Sequence, residues 1–583
     1  MTDQSGAVRE KIAAIDLWPH LKTILNALGG SRQRRALYGL GVAVVVIVAA
    51  TAYGQIRLNA WNEPFYDALS RKDLPGVTKQ LLVFAYIAGA LLVLNVAQTW
   101  LSQMTKLKLR EGLTRDLFFQ WLKPHRGFHI ANLGEIGVNP DQRIDADAQH
   151  LAEVSTDLGI GLLQATLLLV SFVGVLWGLS EGVSFDIFGK NIAIPGYMVW
   201  AALLYASVAS FGSWRVGRPL VELGAERYAR ESEMRFALMN ANEHIEAISV
   251  YRGEKLEENR LHDELDRLLA VLRRIVTATT NLTWVTAGYG WFTIVAPIIV
   301  AAPAYFAGNL TFGGLLMAVG AFTQVQQSLR WFVDNAGVIA DWRATLHRVA
   351  DFREALFDID RREKTRAIAF EETSGDRLIL NNLSVYSPAG VTTLSEAHVE
   401  IAPGDHVLIV GEPRSGKTRF FEAIAGLWTA GNGAVRLPRA ENIFFAPKRP
   451  YIADLTLRDI LAYPSPPQSF PQDAYDAALA RFALDHLTPL LDGAAPWEKE
   501  LTDVEQQELA FARLLLHKPR FVVVDEAIDS LSPHARETLF DVFGKELAET
   551  ALVYISGPKA PDKFFQRVLR LTLNAPPPDA AAS

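Results

Sequence analysis

Apolar residues crowd six stretches of the first 330 positions. Near-continuous apolar segments run at about 37–55, 80–98, 159–180, 193–212, 284–306 and 311–330. Each supplies about 20 residues, enough to cross a hydrocarbon layer of roughly 30 Å, so the pattern predicts six membrane-spanning helices. Long polar connections, 99–158 and 213–283, follow the second and fourth of them. Within these, EGLTRDLFFQWL and RGEKLEENRLHDELDRLLAVLRR keep helical periodicity with charge on most faces. That predicts spans 2 to 5 continuing as helices well beyond the membrane. Polar and charged residues precede the first stretch and no small-residue cleavage site follows it, so it reads as a span and not as a signal peptide.

Basic residues set the expected orientation. Lys22, Arg32, Arg34 and Arg35 lie close to the first span. The 99–158 connection carries Lys106, Lys108, Arg110, Arg115, Lys123, Arg126 and Arg143, and the 213–283 connection is richer still, from Arg215 and Arg218 to Arg273 and Arg274. By contrast, 181–192 holds only Lys190, and 307–310 holds no basic residue. The N-terminus, both long connections and the C-terminal half are therefore expected on the cytoplasmic side of the cell's inner (plasma) membrane.

Composition sharpens this picture. The 583 residues are 50% hydrophobic and 21% charged, with a mean hydropathy of +0.13. A fully soluble or a disordered chain is excluded. There is no cysteine, which removes disulfides, thiolate zinc sites, iron–sulfur clusters and cysteine nucleophiles. A net charge of -7 argues against a nucleic-acid partner.

After Phe352 the sequence becomes that of a soluble domain. A charged linker (DIDRREKTR) leads to LILNNLSV, HVEIAPGDHVLIVGEPRSGKTRFFEAIAGLW and RFVVVDEAIDSL. The middle segment reads as strand, loop and helix and matches the phosphate-loop spacing at Gly411, Glu412, Pro413, Arg414, Ser415, Gly416, Lys417 and Thr418. Backbone N–H groups of such a loop cradle phosphates, Lys417 would reach the β/γ-phosphates of ATP, and Thr418 would ligate Mg²⁺. VVVDE is the matching buried parallel strand. Asp525 emerges at its end to hold the Mg²⁺ shell, and Glu526 is placed as the catalytic residue that orients or deprotonates the attacking water. The expected architecture is an all-α six-helix transmembrane domain (36–335) behind a cytoplasmic segment (1–35). A linker (336–374), an α/β P-loop nucleotide-binding domain (375–572) and a disordered tail (573–583) follow.

Six spans fused to this module resemble an ABC half-transporter of the exporter type. Tyr386, 25 residues before Gly411, has the spacing of the aromatic that stacks on adenine in that family. LNAWNEPFYDAL (58–69), NPDQRI (139–144), LVSFVGVLW (169–177) and NEHIEAISVYRGE (242–254) resemble the SbmA/BacA-like membrane domain with a fused ATPase. That group is akin to the peroxisomal fatty-acid half-transporters of subfamily D. AIAGLW (423–428) and RPYIADLTLRDILAYP (449–464) belong to the same pattern. The resemblance implies a dimer, a homodimer first and a heterodimer as the alternative. Each of its two ATP sites lies between the phosphate loop of one subunit and the signature motif of the other, to which Thr502 belongs. It also implies that 242–254 helps couple membrane helices to the ATPase. Peptides or other bulky hydrophilic solutes, taken up, are the implied cargo, with cobalamin-like and fatty-acyl cargo as alternatives.

Several positions depart from the family pattern, and all bear on hydrolysis. The Gln before RPY is Lys448, which has no acceptor for Mg²⁺. The signature Leu-Ser-Gly-Gly-Glu reads Leu501, Thr502, Asp503, Val504 and Glu505, and the Arg downstream is Glu508. The switch His is Pro558, no histidine follows His534, and the Asp of the SALD segment is Ser532. ATP binding with weak hydrolysis is the expectation. A proton-coupled importer, with Glu63 and Asp67 as candidate relay acids, and a non-transporting ATP-sensing membrane protein are the alternatives. Ordinary interfacial acids remain the plainer account of Glu63 and Asp67. Gln324, Gln326 and Gln327 could line a water-filled cavity or bond between helices. Trp61, Trp100, Trp177, Trp200, Trp284 and Trp291 suit interface belts, and Trp428 the soluble core.

Overall fold

Every apolar stretch lies in a long helix in the computed structural model, which describes all residues except 1–16, 133, 138, 182–183, 188–189, 364–367, 373–375, 559–563 and 575–583. The chain divides into two compact units, Met1–Trp121 with Val138–Glu354, and Leu122–Gly137 with Ala355–Ser583.

In the first unit the apolar stretches sit in helices Arg34–Ser70, Leu74–Trp121, Ala148–Leu179, Tyr197–Glu243, Glu254–Phe306 and Phe312–Asp334. The 48 residues of Leu74–Trp121 span about 72 Å, more than twice a hydrocarbon layer, so the expected extension beyond the membrane is present. Among the described residues, four helical stretches are long and apolar enough to cross a membrane: Arg34–Ser70, Leu74–Trp121, Pro140–Leu179 and Glu254–Phe306. The other two predicted spans fall on Tyr197–Glu243 and Phe312–Asp334, which are less apolar; the second carries Gln324, Gln326 and Gln327. None of the most apolar window of Leu74–Trp121 is buried within the chain, and Leu82, Tyr86 and Val93 lie exposed along it, as a lipid-facing helix requires. The apolar core of the unit gathers Phe172, Leu176, Met198, Phe322 and Val325 from three helices.

Two elements were not legible in the spans. A helix Leu17–Gly30 precedes the first long helix, and the 181–192 connection contains a backbone hairpin, β1 (Ser184–Ile187) paired antiparallel with β2 (Lys190–Ala193). The candidate relay acid Asp67 accepts a hydrogen bond from the Gly313 backbone N–H at 2.8 Å and pairs with Arg71 at 3.7 Å. It thereby fastens the end of its helix to the start of Phe312–Asp334, a structural role that fits the plainer account.

The second unit is built on a ten-stranded sheet. Its strands are β3 (Ala369–Glu372), β4 (Leu378–Ser387), β5 (Gly390–Leu394), β6 (His398–Ile401), β7 (His406–Gly411), β8 (Gly431–Leu437), β9 (Ile443–Ala446), β10 (Phe521–Asp525), β11 (Ala551–Ser556) and β12 (Arg567–Asn574). The order β12-β7-β11-β10-β9 is parallel throughout, while β5, β4, β8 and β6 form an antiparallel flank. Every residue of β10 and β11 is buried, because helices cover both faces. Val522 and Val524 pack into one core and Phe521 and Val523 into the opposite one, the period of two expected of a strand. Strand β12 continues to Asn574, so residues 573 and 574, expected at the start of a disordered tail, pair with β5 instead. The rest of that tail lies outside the described residues.

Candidate nucleotide site

The site forms where the parallel strands end, the usual place for a ligand in an open α/β sheet. Strand β7 delivers Gly411 to a loop, and the helix Lys417–Ile424 leaves from it with Gly416 at its N-cap. Both glycines are required. A Cβ at Gly411 would lie 2.3 Å from Ser415 Oγ. Gly416 has φ +84°, and its Cβ would lie 2.2 Å from Thr392 Oγ1. Arg414 takes φ +67°, so the loop curls its backbone into a concave nest. A cavity of about 860 Å³ opens over it, lined by Pro413 to Arg419, Lys448, Glu526, Asp529 and Pro558 among others.

Lys417 donates to the carbonyls of Gly411 (3.0 Å) and Glu412 (3.2 Å) and lies 3.3 Å from Glu526 Oε1. Asp525 is 2% exposed at the end of β10. Burial pushes its carboxyl up to about 6, against the pull of a hydrogen bond from Thr418. Its Oδ1 and the Ser415 hydroxyl are buried without a hydrogen-bond partner among the described residues. An orphaned carboxylate oxygen beside a threonine hydroxyl at the phosphate loop fits a hard, oxygen-seeking divalent ion.

Glu526 follows with φ +50°, a left-handed conformation that aims its carboxylate into the cavity. Lys448 Nζ bonds its Oε2 at 2.8 Å. Burial would raise the Glu526 carboxyl, but hydrogen bonds from Lys448 and Lys417 prevail and hold it below the ordinary carboxylate range. Lys448 is raised in turn, chiefly by that same hydrogen bond. The position read from sequence as a lost Mg²⁺ ligand is thus a cation clamped on the candidate base.

Five predicted residues do not line the cavity: Glu412 and Asp525 adjoin lining residues in the chain, Gly411 immediately precedes Glu412, and Tyr386 and Thr502 are engaged elsewhere. Tyr386 is the penultimate residue of β4, next to Ser387 at the rim; its hydroxyl accepts from Asn432 and its carbonyl from Trp428 Nε1 at 2.8 Å. Trp428 packs against the core below the sheet, with the Arg419 guanidinium 4.3 Å from its ring centroid. Thr502 caps the helix Asp503–His517. Its hydroxyl accepts from the Glu505 N–H, and its own N–H donates to Glu505 Oε2 at 2.9 Å, a reciprocal capping box. The exposed Asp503 stands beside it.

Three features escaped the sequence reading. Gln507 donates to the Lys448 carbonyl at 2.6 Å, joining the signature helix to the Lys448 segment. Arg513, 5% exposed, donates to the carbonyls of Ile460 and Tyr451, both at 2.7 Å. Asp529 accepts from Tyr554 (2.6 Å) and Ser556 (3.0 Å), locking the segment after Glu526 onto β11. Only the last had a sequence signal, an acid following the Asp525–Glu526 pair.

Permease-length helices and a cradle for a nucleotide on a parallel sheet define an ATP-coupled membrane transporter. The family described as ABC transporter transmembrane region 2 matches residues 25–306, and the family described as ABC transporter matches 394–529. The chain is an ABC half-transporter, a permease and an ATP-binding cassette in one polypeptide. It is similar to the Escherichia coli inner membrane ABC transporter ATP-binding protein YddA (24% identity; 88% of this chain, 91% of that one). It is also similar to the Arabidopsis thaliana ABC transporter D family member 2, chloroplastic (26%; 92% and 83%), and to the human lysosomal cobalamin transporter ABCD4 (24%; 87% of each). A bacterial Atm1-family ABC exporter with ATP bound shares the fold, with a TM-score of 0.68 at 14% identity over 93% of this chain and 95% of that chain. Such a half-transporter works as a dimer in a bilayer.

Proposed function

We propose that this half-transporter forms a homodimer in the cytoplasmic membrane, with its ATPase on the cytosolic side. It imports neutral, hydrogen-bonding, peptide-like solutes and turns ATP over slowly. The cargo class rests on one observation. A cavity of about 540 Å³ among the helices Arg34–Ser70, Leu74–Trp121, Ala148–Leu179 and Phe312–Asp334 has twelve lining residues, and seven of them are carboxamides. These are Gln55, Asn59, Asn62, Asn95, Gln164, Gln324 and Gln327, and no lining residue is charged. Amides offer both donors and acceptors, which suits peptide groups and neither a fatty-acyl chain nor an anion. Gly320 is part of the design, since a Cβ there would lie 2.2 Å from Asn59 Oδ1. Of the glutamine cluster, Gln324 and Gln327 line the cavity, while Gln326 donates to the Tyr289 hydroxyl at 3.3 Å.

In the nucleotide site, Thr418 and Asp525 would hold Mg²⁺, which supplies positive charge to the phosphate oxygens of ATP. The nest N–H groups and Lys417 bind the phosphates, and Glu526 accepts a proton from the attacking water once Lys448 releases it. Differential affinity for ATP between inward- and outward-open states drives the transport cycle. The Lys448 clamp and Pro558 also favour a second reading, an ATP-sensing protein with little turnover.

Proteoliposomes test both. Uptake of a fluorescent neutral peptide is expected to fall at least about tenfold in Gln324→Leu and Asn59→Leu, because each leaves cargo amides without a partner, while ATP binding stays intact. Equal uptake in those variants removes the cargo assignment. Uptake that survives Lys417→Ala but collapses with the proton gradient replaces ATP drive by proton coupling. No uptake of any neutral peptide, with ATP still bound, favours the sensing protein.

A further inference from the structure

Away from the nucleotide cavity and the carboxamide cavity, three metal-ligand atoms converge in the first unit. The helix Ala336–Glu363 carries His347 and Asp351 four residues apart, hence on one face. His20, on the helix Leu17–Gly30, reaches the same point. His20 Nε2 lies 3.1 Å from Asp351 Oδ1, His347 Nδ1 lies 3.3 Å from His20 Nε2, and the same Nδ1 lies 3.2 Å from that Oδ1. The imidazoles meet edge to face, with centroids 4.9 Å apart at 89°.

Protons alone cannot make this triangle attractive on all three sides. With the proton on His20 Nε2, the His347 Nδ1 lone pair faces the carboxylate. With the proton on His347 Nδ1, the His20 lone pair does. With both protonated, two N–H groups oppose each other. A cation satisfies all three atoms together. An equilateral triangle with edges of about 3.2 Å is also the face of a tetrahedron whose centre lies about 2.0 Å from each corner, the length of Zn–N and Zn–O bonds. The side chains of His347 and Asp351 keep 30% and 36% exposure, which gives water access as the fourth ligand. Two imidazoles and a carboxylate suit zinc among the divalent transition metals, whereas Mg²⁺ and Ca²⁺ prefer all-oxygen sets.

We infer that His20, His347 and Asp351 form a zinc-class site that clips the helix Leu17–Gly30 to the helix Ala336–Glu363. The site is independent of ATP chemistry and of the cargo proposal. Its role is mechanical: it joins segments more than 300 residues apart in sequence and holds the helix that follows Phe312–Asp334.

The test uses the full chain in nanodiscs, with any affinity tag removed, stripped with EDTA and titrated with Zn²⁺. Expected are about one zinc per chain by elemental analysis, a rise in thermal midpoint on loading, and intense visible bands when Co²⁺ replaces Zn²⁺. His347→Gln and Asp351→Asn are each expected to weaken binding by more than about tenfold, the loss of a direct ligand exceeding that of an outer-shell partner. Stripped variants should melt with the stripped parent, which shows that they fold. Absence of stoichiometric zinc in the parent overturns the site, as does undiminished zinc or an unchanged zinc-induced melting shift in the variants.

Discussion

Lys448 Nζ sits 2.8 Å from Glu526 Oε2, while Lys417 lies 3.3 Å from the other carboxylate oxygen. The carboxylate proposed to deprotonate water is therefore held between two ammonium groups. Phosphates of a bound nucleotide would recruit Lys417, but Lys448 belongs to a different segment, anchored through its carbonyl by Gln507. Lys448→Gln is expected to raise the ATPase rate about tenfold, recovering part of the 10²–10⁴ that a free general base supplies. Phosphate release from proteoliposomes measures it, with Glu526→Gln as the background. A rate no higher than the parent's would mean that the signature or Pro558, and not the clamp, limits turnover.

Thr502 keeps its hydroxyl where the family has serine, yet that hydroxyl is committed to the capping box with Glu505. Thr502→Ala removes the cap and is expected to destabilise the protein by about 1 kcal/mol. The thermal midpoint should fall, whereas Thr502→Ser should leave it nearly unchanged. Replacing Asp503 and Val504 together by glycine removes an acidic side chain and a β-branched one from the helix start. ATP-dependent dimerisation should tighten, read by light scattering, because a unit charge about 5 Å from a phosphate repels it by roughly 3 kcal/mol at an effective dielectric of about 20.

Much of this was legible in the chain because periodicity and spacing encode it directly. Apolar runs specified the long helices, and Gly411 to Thr418 with Asp525 and Glu526 specified the nucleotide cradle, since backbone geometry there demands those residue types. What stayed hidden depends on residues brought together from far apart. Nothing around Lys448 announces Glu526 as its partner, and nothing around His20 announces His347. Arg513 looks like an ordinary surface arginine until two carbonyls from the Tyr451–Ile460 segment close on it; burial then pushes it down to about 10. The hairpin β1–β2 was missed because two four-residue strands between apolar spans are too short to show a clear period of two.

Acid should weaken the ATPase unit through two half-buried histidines. His406 stacks on Phe564 with ring centroids 4.4 Å apart, and His517 bonds the Ala462 carbonyl at 2.9 Å. Burial is the leading cause that lowers both pKa values. The unfolded chain then binds more protons than the folded one below the ordinary histidine value of about 6.5. The stability these residues contribute is full above that pH and is lost as pH falls through it toward their lower folded values. The thermal midpoint of the full chain should be lower at pH 5.5 than at pH 7.5, by an amount that shrinks in His406→Phe. An identical pH dependence in that variant would assign the effect elsewhere.

Arg126 gives the last prediction. The segment Leu122–Gly137 belongs to the ATPase unit although it interrupts the membrane unit in sequence. Within it, Ile130 is fully buried, Arg126 is 2% exposed with its guanidinium 5.1 Å from the Phe357 ring centroid, and His125 approaches the turn at Gly426. A buried cation over an aromatic ring loses both packing and electrostatic attraction on truncation. Leu122 follows directly from Trp121, the end of a 48-residue helix, so any shift of this segment is handed straight to that helix. Arg126→Ala is therefore expected to leave the basal ATPase within about twofold, since it is not among the residues lining the nucleotide cavity, while cargo stimulation of the rate drops at least about tenfold, a loss of some 1.4 kcal/mol of coupling. Measuring phosphate release with and without cargo in the same proteoliposomes separates the two quantities. Parallel loss of both rates would make Arg126 a folding residue only, and retention of both would show that motion passes to the membrane helices by another route.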